Sequence, residues 1–273
     1  MGMLDGNVVI VTGAGRGIGR GEALQLAAEG ARVVVNELDA DVGQTVVEEI
    51  GAAGGDAVLD TGDCSEEKTA QALIQTAVST WGRLDALVNN AGILRDRTVA
   101  KMTPEEWDAV IKVHLRGHFL PTHFACAYWK EAQRRGRIVC TASTSGLLGN
   151  FGQANYGAAK AGIAAFSTIV AMEMAHYGVR CNAIAPAART RMTESAYGSF
   201  KDMSAEEETF DFWHPDNVAP LVAFLCSEAA GDISGKVFGV QGDAVELYQP
   251  FTSVGVIQNH DMRWAPESIA ARV

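Results

Sequence analysis

Short apolar, β-branched runs alternate along this chain with longer stretches of helical period. Asn7 to Val11 is one such run, and it stops at Thr12-Gly13 as a buried parallel strand stops at a turn. A helix is predicted over about Gly17 to Glu29, and a second strand over Ala31 to Asn36. Further strands fit Ala57–Leu59, Ala86–Asn89, Gly136–Cys140, Arg180–Ile184 and Lys236–Val240. Helical patterns fill Asp41–Ala53, Glu66–Trp81, Thr103–Arg134, Asn155–Tyr177 and Asp216–Ser227. Thr103-Pro104-Glu105-Glu106 is a capping box with proline at the first helical position. Pro121 lacks a backbone N–H, so a kink or break is expected inside the long helix that follows.

Seven strands alternating with six helices, without a Gly/Pro/Ser linker or a repeat, predict α/β architecture. The expected form is a single doubly wound Rossmann-type domain with a mostly parallel seven-stranded sheet flanked by helices. The domain is expected over residues 1–244. Within it, 189–214 is long, charged and weakly periodic, which suits a substrate loop or lid. Residues 245–273 read as a C-terminal extension that covers an edge or packs on a neighbouring subunit.

Composition narrows the classes of function. A formal net charge of -11 and no dense Lys/Arg run argue against nucleic acid, whose phosphates need a basic surface. Five scattered cysteines contain no CxxC pair, and their odd number leaves one outside any set of intramolecular disulfides, so a reduced cytoplasmic setting is expected. His114, His118 and His123 lack metal-ligand spacing, and no metal is expected. Neither a leader nor an apolar run near the roughly 20 residues needed to cross a bilayer is read, so no membrane partner is expected.

Chemistry enters at Thr12-Gly13-Ala14-Gly15-Arg16-Gly17-Ile18-Gly19, which leaves a strand and opens a helix. Glycines let the backbone turn sharply beside a pyrophosphate, and the helix N-terminus offers unpaired N–H groups. Glu37 closes the second strand, where a ribose hydroxyl pair needs an acceptor and a 2′-phosphate would be repelled, so NAD is favoured. Arg16 is the counter-argument, because a guanidinium pairs with that phosphate. Tyr156 and Lys160 stand four residues apart and share a helix face. An ammonium there favours phenolate, as general acid–base work requires. Ser143 follows an apolar strand and is placed to hydrogen-bond the same substrate oxygen.

Together Thr12–Gly19, Asn89-Asn90-Ala91-Gly92, Ser143 and Tyr156-Gly-Ala-Ala-Lys160 resemble the classical short-chain dehydrogenases/reductases over about Leu4 to Gly242. The resemblance implies that Tyr156 takes the alcohol proton as hydride leaves for the nicotinamide, that Ser143 steadies the substrate oxygen, and that Lys160 holds the nicotinamide ribose. By the same resemblance Gly13, Arg16, Gly17, Ile18, Gly19 and Glu37 hold the cofactor, as do Asn90, Ala91 and Gly92. Asp63 meets the adenine, and Pro186 and Thr190 meet the nicotinamide end. His114 stands where many members carry an Asn that props the lysine through a water relay. Imidazole can still donate and accept, so the relay is expected to persist with altered pH behaviour. Ala187 replaces the usual glycine after Pro186.

A narrower resemblance lies in Val113-His-Leu-Arg-Gly117, Asn90–Arg97 and Gly149–Tyr156, which are similar to the dehydrogenase unit of type 2 peroxisomal multifunctional enzymes and its stand-alone bacterial relatives. That likeness implies NAD-linked oxidation of a (3R)-hydroxyacyl-CoA, with fatty-acyl or steroid side-chain substrates, and the resemblance to the short-chain family at large implies a homodimer or homotetramer paired through 103–134 and 155–177. Arg95, Arg97, Lys101, Arg189 and Arg191 fall on loops expected to face the site, where CoA phosphates need cations. The rival within the same chemistry is a hydroxysteroid or other secondary-alcohol dehydrogenase without CoA. A more distant alternative is a non-catalytic NAD-binding regulatory protein.

Overall fold

The computed structural model describes residues 2–192, 210–249, 251–259 and 262–272. One sheet carries the fold. Its strands are β1 (Val8–Thr12), β2 (Arg32–Glu37), β3 (Asp56–Thr61), β4 (Ala86–Asn89), β5 (Arg137–Thr141), β6 (Arg180–Pro186), β7 (Val237–Gln241) and β8 (Ala244–Tyr248). They lie in the order β3-β2-β1-β4-β5-β6-β7-β8. The first seven are parallel, and β8 returns antiparallel on β7. The expected seven-stranded sheet is therefore eight-stranded. The added strand pairs Gln241 with Ala244 across the two-residue turn Gly242-Asp243, with Gly242 at φ +54°, as tight hairpins require. It overlaps the start of the segment read as an extension.

The helices are α1 (Gly17–Ala28), α2 (Ala40–Ala52), α3 (Glu67–Trp81), α4 (Pro104–Ile111), α5 (Gly117–Glu131), α6 (Thr144–Leu147), α7 (Ala154–Met174) and α8 (Ala219–Cys226), with a last short helix at Pro266–Ala270. Central strands are buried on both faces, which is why they read as unbroken apolar runs. Alternate residues of β1 feed two cores. Val9 and Val11 pack with Leu26, Val46 and Val222 on one side of the sheet. Val8 and Ile10 pack with Leu73, Trp129 and Ile163 on the other.

The stretch read as one helix over Thr103–Arg134 is interrupted, but not at Pro121. Its capping box is present, with Glu106 N–H donating to Thr103 Oγ1 at 3.2 Å. The break is a π-helical segment, Lys112–Arg116, in which Gly117 N–H reaches back to Lys112 O. Pro121 then sits inside α5, so the helix widens before it reaches the proline. Helix α7 and its 3₁₀ extension (Ala154–Tyr177) are long and apolar enough, by length and composition alone, to cross a membrane, unlike the sequence reading. The side of α7 that carries Lys160 is buried, with Ala159, Ile163, Ala164 and Ser167.

Candidate active site

The carboxyl ends of β1, β4, β5 and β6 open onto a cleft of 630 Å³. It forms where β1 and β4 lie side by side and their connections leave in opposite directions, which is where doubly wound sheets leave a crevice. Gly13, Arg16, Gly17, Ile18, Gly19, Glu37, Asp63, Asn90, Ala91, Gly92, His114, Ser143, Tyr156, Lys160, Pro186, Thr190 and Arg191 all line it. Arg95 and Arg97 do not.

One half of the cleft is backbone. Gly13 sits at φ +63°, and a Cβ on Gly19 would stand 2.3 Å from the Gly13 carbonyl oxygen, so side chains are excluded from the turn that enters α1. Asn90 stitches β4 to this turn, its Nδ2 donating to the carbonyls of Thr12 and Gly13, both at 3.1 Å. Glu37 Oε2 accepts from Gly15 N–H at 3.0 Å and Oε1 from Leu38 N–H at 2.9 Å. Arg16 stands 3.8 Å from Asp39. Asp63 takes Ser65 Oγ at 2.6 Å, and Lys112 stands 3.4 Å away. These partners hold its carboxyl below the usual range against the opposing effect of burial, which is the largest single influence on it. A backbone cradle with one carboxylate at the end of β2 and another after β3 fits a dinucleotide.

The other half carries titratable side chains. Ser143 caps α6, its Oγ accepting from Ser145 N–H at 3.2 Å. Tyr156 lies in the first turn of α7, with Lys160 Nζ 5.5 Å from its ring centroid and the His114 ring edge-on at 5.1 Å. Lys160 is buried and donates to the Thr141 carbonyl at 2.5 Å. Burial pulls its pKa down to about 7, against the pull of Cys140 and Glu22. His114, on the π segment, has Nε2 within 3.0 Å of Ile93 N and 2.7 Å of Ile93 O. Burial and then the Lys160 charge push its pKa to about 3, so it works as a neutral ring.

Of the cations expected to face substrate, Arg191 lines the cleft. Arg97 is spent on Glu106 at 3.0 Å, Arg95 folds onto the Leu94 carbonyl at 2.7 Å, and Arg189 pairs with Asp211. Lys101 is exposed and does not line the cleft. Thr193 and the rest of 193–209 lie outside the described residues. Among the described residues no group of three or more His, Cys, Asp or Glu is placed to hold a metal.

Three residues to which the sequence reading gave no place in the site matter here. Gln153 is buried at the cleft wall and ties Asp96 (2.8 Å) to Ser145 (2.8 Å); its place immediately before the helix that carries Tyr156 was the available signal. His118, one turn beyond His114, is fully buried with Nε2 unpartnered. Glu22, on α1, is buried with neither carboxylate oxygen hydrogen-bonded, and burial lifts its pKa to about 8. Nothing in its helical period separates Glu22 from a surface acid.

The short chain dehydrogenase family model matches residues 7–199. A hydroxyacyl-CoA dehydrogenase, ChsB1, from Mycobacterium tuberculosis is 46% identical over 98% of this chain and 87% of its own length. The peroxisomal multifunctional enzyme type 2 of Drosophila melanogaster is 43% identical over 89% of this chain, which spans 40% of that enzyme. Among solved structures, a short chain dehydrogenase from Mycobacterium avium superposes with a TM-score of 0.90 at 48% identity, covering 99% of this chain and 95% of that one.

Proposed function

The chain belongs to the short-chain dehydrogenase family, and from that membership we propose that it oxidises a 3-hydroxyacyl-CoA to the 3-oxoacyl-CoA with NAD. The family makes it an oxidoreductase; the substrate and the choice of NAD are the proposal. The observation that carries it is the Tyr156, Lys160 and Ser143 set at the cleft wall, in a chain so similar to a hydroxyacyl-CoA dehydrogenase.

A bound nicotinamide dinucleotide supplies the hydride acceptor. Gly13 to Gly19 would hold its phosphates on backbone N–H groups at the start of α1. Glu37 would take the ribose hydroxyls, and Asp63 the adenine. The hydrogen bond from Gly15 N–H sets the Glu37 side chain beside the glycine turn, where a carboxylate would repel an added phosphate, which supports NAD over its phosphorylated form.

The proton chemistry belongs to the chain. Tyr156 takes the substrate hydroxyl proton through its phenolic oxygen, and Ser143 hydrogen-bonds the same substrate oxygen. The Lys160 ammonium favours the phenolate form that makes Tyr156 a base. His114, neutral and clamped to Ile93, holds the ring of Tyr156 from its edge and adds no competing charge. Arg191 supports a CoA ester because it brings a cation to the cleft of an acidic protein. Ile93, Leu94 and Met192 give the cleft an apolar wall for the acyl group, fatty-acyl or steroid-derived.

Pairing of two copies across α5 and α7 is supported by Phe119, Ile169 and Met172, which stand exposed on those helices. Five free thiols suit a reducing compartment such as the cytoplasm. The test of function is the appearance of reduced nicotinamide absorbance with purified protein, NAD, and a panel of 3-hydroxyacyl-CoA esters of both configurations beside a free hydroxysteroid. Turnover confined to a CoA ester is the expected result. Turnover of the free steroid alone would replace the thioester reading.

A further inference from the structure

Asp96 stands on the connection that leaves β4, between two residues bonded to the start of α7. On one side the Arg95 carbonyl accepts from Asn155 Nδ2 at 3.0 Å, and on the other Arg97 N–H donates to the Gly152 carbonyl at 2.7 Å. Between them the Asp96 carboxylate accepts from Gln153 Nε2 at 2.8 Å. Gln153 is 4% exposed, and its Oε1 accepts from Ser145 Oγ at 2.8 Å and from Asn150 Nδ2 at 2.9 Å. Ser145 in turn gives its N–H to Ser143 Oγ at 3.2 Å. One chain of hydrogen bonds therefore runs from the loop that bears Asn90, Ala91 and Gly92 to the serine of the site. Ser143, Ser145 and Gln153 line the cleft, and Asp96 stands behind them, outside it.

The end at Asp96 gives the chain its direction. A carboxylate only accepts, so Gln153 turns Nε2 to Asp96 and Oε1 to Ser145 and Asn150. Ser145 then spends its hydroxyl proton on Gln153. Ser143 Oγ accepts from the Ser145 main chain, and its own proton has no acceptor among the described residues, which is the state a serine needs to donate to a substrate oxygen. We propose that Asp96 is a positioning residue for Ser143: acting through Gln153 and Ser145, it holds the serine hydroxyl in place as a donor to the reacting oxygen. No proton changes hands at Asp96. The charged groups next to it in the chain are turned elsewhere, Arg95 to the Leu94 carbonyl and Arg97 to Glu106 on α4, which leaves its carboxylate to Gln153. The inference rests on Ser143 serving the reaction proposed above.

Its test has one arm without substrate and one with it. In NMR spectra of ¹⁵N-labelled, ligand-free protein the side-chain amide of Gln153 should exchange slowly with solvent, as a buried hydrogen-bonded group does. Asp96→Ala should make that exchange fast, and Asp96→Asn, which keeps an acceptor oxygen, should restore it. A fast-exchanging Gln153 amide in the wild type would overturn the proposal, and that result can be read even if the variants fail to fold. In turnover of a CoA ester, Asp96→Ala should lower kcat by about tenfold, the scale of one lost hydrogen bond to a charged group, with NAD affinity unchanged and Asp96→Asn close to wild type. A role in packing alone would not be rescued by Asn and would weaken NAD as the loop shifted. Wild-type kcat in Asp96→Ala, or Asp96→Asn as slow as Asp96→Ala, would overturn the proposal while the substrate reading stood. A protected Gln153 amide together with no turnover of any CoA ester would sink the substrate reading instead.

Discussion

Replacing Glu22 by glutamine should stabilise the protein, and by more as the pH rises. Glu22 lies on α1 with no exposed surface and no hydrogen-bond partner for either oxygen, and its folded-state pKa is raised from 4.5 to about 8 by burial. Below pH 4.5 the carboxyl is protonated whether the chain is folded or not, and its contribution is whole. As pH rises, the unfolded chain gives up the proton first, so folding must put it back. Stability is therefore lost progressively between about 4.5 and 8 and is not lost further above the folded value. Each unit of separation is worth 1.36 kcal/mol, so the loss at pH 7 is about 3 kcal/mol. Glutamine keeps the shape and cannot ionise. In a chain of this size about 3 kcal/mol corresponds to a rise of roughly 10 °C in midpoint. The assay is thermal or urea unfolding of wild type and Glu22→Gln from pH 5 to 9, at fixed protein concentration because the chain is expected to pair. A gap that is small at pH 5 and widens toward pH 8 is the expected result. Parallel curves, or a variant less stable at pH 8, would mean that Glu22 has found a partner and is ionised in the fold.

Three further outcomes follow from the site. Tyr156→Phe should lower single-turnover rates by about 10²- to 10⁴-fold while dinucleotide affinity, measured by titration calorimetry, changes only a few-fold. Glu37→Ala should weaken NAD by about tenfold or more, the scale of one lost charge-assisted hydrogen bond, and narrow the preference against the 2′-phosphorylated cofactor; unchanged ratios of kcat/KM for the two would remove Glu37 from cofactor choice. Arg191→Glu should raise KM for a CoA ester by about tenfold with kcat little altered, whereas Arg97→Glu should not, because Arg97 is already paired with Glu106 outside the cleft.

The strands were legible where burial is complete. β4 falls at Ala86–Asn89 as read, and β1 is displaced by one residue, because a strand covered on both faces leaves an unbroken apolar run between turn residues. β8 escaped for the opposite reason. Val245, Glu246 and Leu247 are exposed at the sheet edge, so no buried face imposes an alternation, although Gly242-Asp243 was a hairpin signal in plain view. In the site, the residues that the glycine turn and the Tyr156–Lys160 spacing single out do line one cleft. Arg95 and Arg97 show the limit of that reading: position on a loop near the site says nothing of which neighbour claims a guanidinium. His118 and Glu22 were illegible because their meaning lies in missing partners, and the absence of a contact has no period.

The π segment at Lys112–Arg116 changes how this stretch of chain must be counted. A π turn holds one residue more than the α-helix it interrupts, so everything after it is out of phase with everything before it by one α-helical step, about 100°. The phase slip is what lets His114 face Tyr156 while His118, one turn on, is turned inward with Trp129 and the rest of α5. Removing any single residue between Lys112 and Arg116 would leave the composition almost untouched and yet rotate α5 against the sheet, so tolerance to deletion here should be far lower than in the neighbouring helix α3. The same arithmetic bears on alignment: a relative lacking the extra residue would match this chain residue for residue on one side of the segment and present a different helix face on the other.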